Sequence, residues 1–159
     1  MNSSGWKYYE QIEGTVITDT KANCPLSSGF TYDSGTDTCY KLGSAVPYNF
    51  DDINDICSNL GSDLVRIDSR DKQKLVERVL ASDTTEIVCI QGSNENGKYE
   101  FDDGTEMTYF NWNVAKGQPN GGSEHNIIMR KSYTYLWHDG PKILLNTECM
   151  YICEKIIPQ

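Results

Sequence analysis

The six cysteines, Cys24, Cys39, Cys57, Cys89, Cys149 and Cys153, constrain the fold of this chain more than any other feature. Their number is even, none of them form a Cys-x-x-Cys pair, and the chain has only two histidines. This pattern disfavours a zinc knuckle or a thioredoxin-type site. It favours disulfides formed in an oxidising compartment, and so a secreted or extracellular protein; the alternative is six buried thiols in a cytosolic protein.

The length and charge of the chain limit its organisation and its partners. Its 159 residues correspond to one domain, and its formal net charge is −9. Such an acidic chain is a poor partner for nucleic acid or anionic membrane surfaces, which bind basic patches. The most hydrophobic stretches, such as residues 87–90 and 143–145, have three or four residues, far short of the ~20 that span a bilayer, so we expect no transmembrane segment. Residues 1–10 have no apolar signal-peptide core, so we expect that any leader has been removed.

The first part of the chain divides into a lead-in segment, residues 1–23, and a hairpin that begins the domain, residues 24–157. The lead-in segment is either an edge strand or a tail. Between Cys24 and Cys39, two short strands flank the turn residues Asp33-Ser34-Gly35. A Cys24–Cys39 disulfide would close a loop of about 15 residues, worth roughly 3 kcal/mol.

Two helices follow the hairpin. Apolar residues recur at helical spacing from Phe50 to Leu60, and Gly61 is a stop signal. After a short strand at residues 64–67, Asp68-Ser69 precedes a second helix whose apolar positions are Leu75, Val76, Val79 and Leu80. Beyond Asp83 the pattern is of short strands and turns, which predicts an α+β domain.

A long segment, about residues 102–126, is rich in Gly, Asn, Asp and Pro. Loops of this length inside a compact domain are usually functional. No nucleophile–base pair with a recognisable signature lies in it or elsewhere, and paired carboxylates occur in any acidic chain. The sequence therefore indicates a binding protein and not an enzyme.

Six short motifs, in order, resemble the long-form C-type lectin-like domain. They are Cys24-Pro25 to Cys39-Tyr40, Cys57-x-x-Leu60-Gly61 to Ile67, Phe101-x-Asp103-Gly104 to Asn111-Trp112, Gln118-Pro119-Asn120 to Glu124, Trp137-His138-Asp139, and Tyr151-Ile152-Cys153-Glu154-Lys155. The resemblance implies the C-type lectin-like fold: two helices flanking small antiparallel sheets, a long ligand loop, and disulfides that stabilise the domain.

The resemblance also implies disulfide pairs, with one departure. It implies that Cys57 pairs with Cys153. Relatives usually carry a further bridge beneath the ligand loop, but this chain has Asn126 and residues near Lys142 at those places. The remaining Cys89 and Cys149 would then have to pair with each other. Without the usual bridge we expect a more mobile loop.

The resemblance implies a Ca2+ cofactor and a glycan ligand. Carried over by motif, the metal ligands are Gln118, Asn120, Glu124 and Asp139, and the glycan-binding residues are these four with His138. Pro119 would be the family's cis proline. Ca2+ takes six to eight oxygen ligands, whereas an imidazole suits Zn2+ or Cu2+ better. His138 replaces an amide oxygen, Gln118 carries no charge, and Glu124 lies closer to Asn120 than usual, so weak Ca2+ binding is expected.

Several alternatives remain open from the sequence. The first is a Ca2+-dependent lectin that binds a glycan or a cell-surface glycoprotein; Gln118-Pro119-Asn120 mixes the galactose-type and mannose-type triplets. The second is a Ca2+-independent module that binds a protein ligand. A third is a metal site of His125, His138 and Glu124. We also expect Trp112 and Trp137 to be core residues and not sugar platforms.

Overall fold

The computed structural model describes residues 19–156. The predicted edge strand of the lead-in segment and residue 157 lie outside this range. The helices are α1 (Phe50–Asn59) and α2 (Arg70–Val79). The strands are β1 (Thr31–Asp33), β2 (Thr38–Leu42), β3 (Val46–Asn49), β4 (Asp63–Leu64), β5 (Ile87–Ser93), β6 (Asn126–Arg130), β7 (Leu136–Gly140), β8 (Ile143–Cys149) and β9 (Ile152–Glu154). This α+β arrangement confirms the predicted fold class.

Both predicted helices form, and side-chain caps begin them. The Asn49 side chain accepts hydrogen bonds from the amides of Asp51 and Asp52 at 3.0 and 3.3 Å, so α1 begins at Phe50. Ser69 accepts from the Lys72 amide at 3.1 Å and begins α2. Such caps satisfy amides that have no partner within the helix.

The strands form three antiparallel sheets, with the orders β1-β2-β9-β4, β3-β8 and β5-β6-β7. The predicted strand at residues 64–67 is shorter than expected, since β4 ends at Leu64. The reason is that the next residue bridges two elements: the Val65 amide bonds to Ile152 in β9, and its carbonyl accepts from Gln91 in β5. Within residues 19–156, no helix is long and apolar enough to cross a membrane.

Two disulfides link the ends of the domain to its core. Cys24–Cys39 closes the first hairpin, and Cys57–Cys153 joins α1 to β9. The main apolar core lies between α2 and the β5-β6-β7 sheet and includes the fully buried Trp137, with Trp112 partly buried against it. The two tryptophans therefore pack as core residues, as expected.

The third cysteine pair differs from the sequence-based expectation. Cys89 in β5 and Cys149 in β8 are both fully buried and both unbonded, with their Sγ atoms 2.7 Å apart. The two strands bring the thiols into contact, but the predicted disulfide is not formed in this structure. Burial raises the pKa of the Cys89 thiol, since it disfavours the thiolate.

Candidate functional site

A cavity of about 210 Å³ lies between residues 118–124 of the predicted ligand loop and the end of β7. The Gln118–Pro119 peptide bond is cis, as the resemblance implied. All five residues predicted to bind ligand line this cavity: Gln118, Asn120, Glu124, His138 and Asp139. The structure therefore brings the complete candidate set to one place.

Reciprocal hydrogen bonds join the loop to β7. The Asp139 carboxylate accepts from the amide of Asn120 at 3.1 Å through Oδ1 and from the amide of Gly121 at 2.6 Å through Oδ2. In return, Gln118 Oε1 accepts from the Asp139 amide at 3.1 Å. Asp139 is 4% exposed, so these bonds hold a nearly buried carboxylate against the loop.

Glu124 is the second carboxylate of the cavity. Burial, and then the negative charge of Asp139, raise its pKa above the ordinary value. Both carboxylates therefore line the same cavity. Among the residues described, Glu124 has no ion-pair partner. Asn120, by contrast, is exposed, and its side-chain amide is directed to no described hydrogen-bond partner. A bound cation would relieve the repulsion between Glu124 and Asp139.

His138 is held from two sides. Its Nε2 lies 3.2 Å from the Asn113 side-chain nitrogen, and its ring stacks on Tyr133 at 5.3 Å between centroids. Burial, and then the positive charge of Arg130, lower the pKa of His138. The imidazole is therefore neutral at pH 7, and it is 8% exposed.

The cavity also has walls that the sequence did not indicate. They are contributed by Tyr48, Ile87, Ile128, Arg130, Gly140, Pro141 and Leu144. The Tyr48 hydroxyl donates to the Pro141 carbonyl at 2.7 Å, and Arg130 Nε pairs with Glu86 at 3.2 Å. These residues come from β3, β5, β6, the end of β7, the turn after β7, and β8, and no local motif in the sequence identifies them.

The donor set fits Ca2+ in chemistry but supplies few charges. Two amides and two carboxylates offer hard oxygens, which Ca2+ prefers. No group of three or more His, Cys, Asp or Glu side chains is placed to hold a metal among residues 19–156. The alternative site of His125, His138 and Glu124 is therefore not assembled; His125 Nδ1 instead lies 2.8 Å from Asn94 Oδ1.

Several known proteins resemble this chain. Layilin from Cricetulus griseus is 28% identical over 144 residues, covering 74% of this chain and 38% of the relative, so the chain spans less than half of that protein. The structure of SPL-1 in complex with GlcNAc superposes with a TM-score of 0.68 at 21% identity, covering 84% of this chain and 96% of the other. A calcium-independent type II antifreeze protein gives a TM-score of 0.66 at 25% identity, covering 82% and 94%.

The family model described as Lectin C-type domain matches residues 46–155, more than two thirds of the sequence. The match includes both helices, the loop and all five residues of the candidate site. Domains of this family are generally not enzymes. The chain belongs to the C-type lectin domain family.

Proposed function

We propose that this protein is an extracellular lectin that binds a glycan, free or on a cell-surface glycoprotein, through one Ca2+ in the loop. The observation that supports this most is that Gln118, Asn120, Glu124 and Asp139 line one cavity. The cavity holds two carboxylates, and the pKa of Glu124 is raised by burial and by Asp139. A divalent cation between them fits both the oxygen chemistry and the charge.

The residues of the loop have separate roles in this proposal. Each carboxylate oxygen has two lone-pair positions, so Asp139 can keep its bonds to the loop amides and still offer oxygen to a metal. Gln118 and Asn120 would add amide oxygens and Glu124 the second negative charge. When bound, Ca2+ would supply an electrophilic centre for neighbouring sugar hydroxyls.

Galactose-type and mannose-type sugars are both candidate ligands of this site. The triplet Gln118-Pro119-Asn120 combines features of both types. The SPL-1 neighbour was solved with GlcNAc, which makes an N-acetylhexosamine a third sugar to test. We propose no catalytic role for any residue of the cavity.

A second candidate function is Ca2+-independent binding of a protein ligand. One specific observation favours it: both carboxylate oxygens of Asp139 already accept hydrogen bonds from loop amides. His138 supplies a neutral imidazole, engaged with Asn113, where an oxygen ligand is expected. A neighbour of the same fold is a calcium-independent antifreeze protein, so this architecture exists without calcium.

Thermal unfolding with Ca2+ or EDTA separates the two functions. A ligand present at ten times its Kd stabilises the folded state by about 1.4 kcal/mol. This raises Tm by about 3–5 °C in a domain of this size. We expect this rise at ~10 mM Ca2+, and its loss in Asn120→Ala. The matched control is Asn59→Ala, an exposed asparagine on α1. No rise in the unaltered protein would contradict the Ca2+ proposal and favour the protein ligand.

A further inference from the structure

Strand β8 exposes three consecutive apolar side chains. Ile143, Leu144 and Leu145 are 50%, 40% and 79% exposed. They lie where the β3–β8 register shifts, between the pairs Pro47↔Glu148 and Asn49↔Ile143. Residues 144–147 of β8 therefore oppose residue 48 alone, and such an irregularity leaves the extra residues of the longer strand without a partner. Contiguous exposed apolar residues of this kind mark binding surfaces.

This apolar surface continues into the candidate site. Leu144 lines the cavity that also contains the loop residues. Ile87, Ile128 and Pro141 line it too, and the first two are 7% and 5% exposed. The cavity therefore has a polar end, formed by Gln118, Asn120, Glu124 and Asp139, and an apolar end that opens onto β8.

Two polar side chains near the apolar end are held by neighbours. The Tyr48 hydroxyl donates to the Pro141 carbonyl, and Arg130 Nε pairs with Glu86. Ile87, Ile128 and Leu144 line the same end of the cavity, so a hydrocarbon group bound there would exchange water for an apolar wall.

We propose that the site binds an amphiphilic glycoside, with its sugar at the loop and its alkyl or acyl chain against Ile87, Ile128 and Leu144. This inference rests on the proposed function, because it places the sugar of that proposal. The cavity volume of about 210 Å³ is below the roughly 300–1,000 Å³ typical of ligand pockets. It admits a single chain and is too small for a helix of a protein partner.

Paired glycosides test the proposal on the whole chain. Methyl and hexyl glycosides of galactose, mannose and N-acetylglucosamine are titrated in Ca2+ and followed by methyl NMR, which reads Ile128 and Leu144 directly. Each buried methylene strengthens binding about fourfold. If two or more methylenes of the hexyl chain are buried, the hexyl glycoside should bind at least about tenfold more tightly than the methyl glycoside. The same titration is run on Leu144→Ser and on a matched control, Leu60→Ser, since both leucines are 40% exposed.

The expected result is a hexyl preference that Leu144→Ser abolishes and Leu60→Ser retains. Equal binding of the two glycosides would overturn the inference and leave the lectin proposal standing. Loss of the preference in Leu60→Ser would overturn it as well, because the effect would then not belong to this cavity. If no methyl or hexyl glycoside binds, the inference is wrong, and the Ca2+-dependent rise in Tm decides the lectin proposal separately. A dimer of the unaltered protein that Leu144→Ser dissociates, seen by sedimentation, would assign the surface to a second copy instead.

Discussion

Asp139 accepts hydrogen bonds from the backbone amides of both Asn120 and Gly121, and so joins the end of β7 to the ligand loop. The distances are 3.1 and 2.6 Å, and the carboxylate is 4% exposed. One side chain therefore both positions the loop and supplies the negative charge that the proposed Ca2+ site needs. The positioning role can be measured separately, from the stability and hydrogen exchange of an Asp139 variant in EDTA, where no metal is bound.

We expect Asp139→Ala to destabilise the protein by about 1–3 kcal/mol in EDTA, because two loop amides lose a charged acceptor. Urea unfolding measures the loss. Hydrogen exchange at Asn120 and Gly121 should accelerate in the variant, since water replaces the carboxylate. Asp55→Ala, an exposed change on α1, is the control and should leave both amides unaffected. Unchanged exchange at these amides in Asp139→Ala would contradict the positioning role.

His138→Asn is expected to strengthen Ca2+ binding, because it restores an oxygen donor beside Asp139. The stacking on Tyr133 and the contact with Asn113 are lost, so we expect the apoprotein to be less stable by about 1 kcal/mol. The measurement is the Ca2+ concentration at half of the maximal rise in Tm, compared with the unaltered protein. A midpoint that stays the same or moves to higher Ca2+ would show that position 138 does not face the metal.

Lys72 and Glu154 form an ion pair at 2.8 Å between α2 and β9, with side chains only 7% and 11% exposed. We expect Lys72→Met to cost about 3–5 kcal/mol, since it leaves Glu154 buried without a counter-charge. In Lys72→Met/Glu154→Gln most of this loss should be recovered, because Gln can still accept from the Arg66 amide. Urea unfolding of Lys72→Met, Glu154→Gln and the double variant gives the coupling free energy between the two side chains. If the losses of the two single variants simply add in the double variant, the pair does not interact as described.

Much of the fold could be predicted because its signals are local. Helix α1 was marked by its helical spacing of apolar residues and by Gly61 after it, and α2 by Ser69 before it. The five loop and β7 residues of the site could be identified because each lies in a short motif with fixed spacing. These features need no knowledge of which strands pair.

The walls of the cavity could not be predicted, because no local signal in the sequence marks them. Tyr48, Ile87, Arg130 and Leu144 come from four strands that meet only through tertiary packing. Ile143-Leu144-Leu145 was simply an apolar run in the sequence, and the shift in the β3–β8 register beside it depends on tertiary pairing. A Cys89–Cys149 disulfide was expected only through the family resemblance, whereas the bonded state depends on redox conditions.

Glu86 gives a pH dependence whose sign can be worked out. Burial favours a higher pKa, but hydrogen bonds from Ser132 Oγ and N at 2.6 and 3.0 Å and from Arg130 Nε at 3.2 Å outweigh it, so the pKa of Glu86 is lowered. A lowered pKa stabilises the folded state above the unfolded value of about 4.3, and this contribution is lost as pH falls through the folded-state pKa.

We therefore expect Glu86→Gln to be less stable than the unaltered protein at pH 7, and the difference to shrink below about pH 4. The side chain is 39% exposed, so the difference should be about 0.5–1 kcal/mol. Urea unfolding at pH 7, 5 and 3 measures it. Glu148→Gln, an exposed change on β8, is the control and should show no such convergence. A difference that grows as pH falls would contradict the assigned sign.

Cys89 and Cys149 are proposed to form a third disulfide when the protein matures in an oxidising medium, since their Sγ atoms already lie 2.7 Å apart. An oxidised thiol–disulfide partner would accept the two electrons and two protons. We expect no free thiol after denaturation of protein prepared this way, and a linked Cys89–Cys149 peptide in a non-reducing digest. Protein prepared under mild reduction should show two thiols that alkylate only after unfolding, because both are fully buried. Two free thiols in the oxidised protein would show that the pair stays reduced and that two bridges suffice.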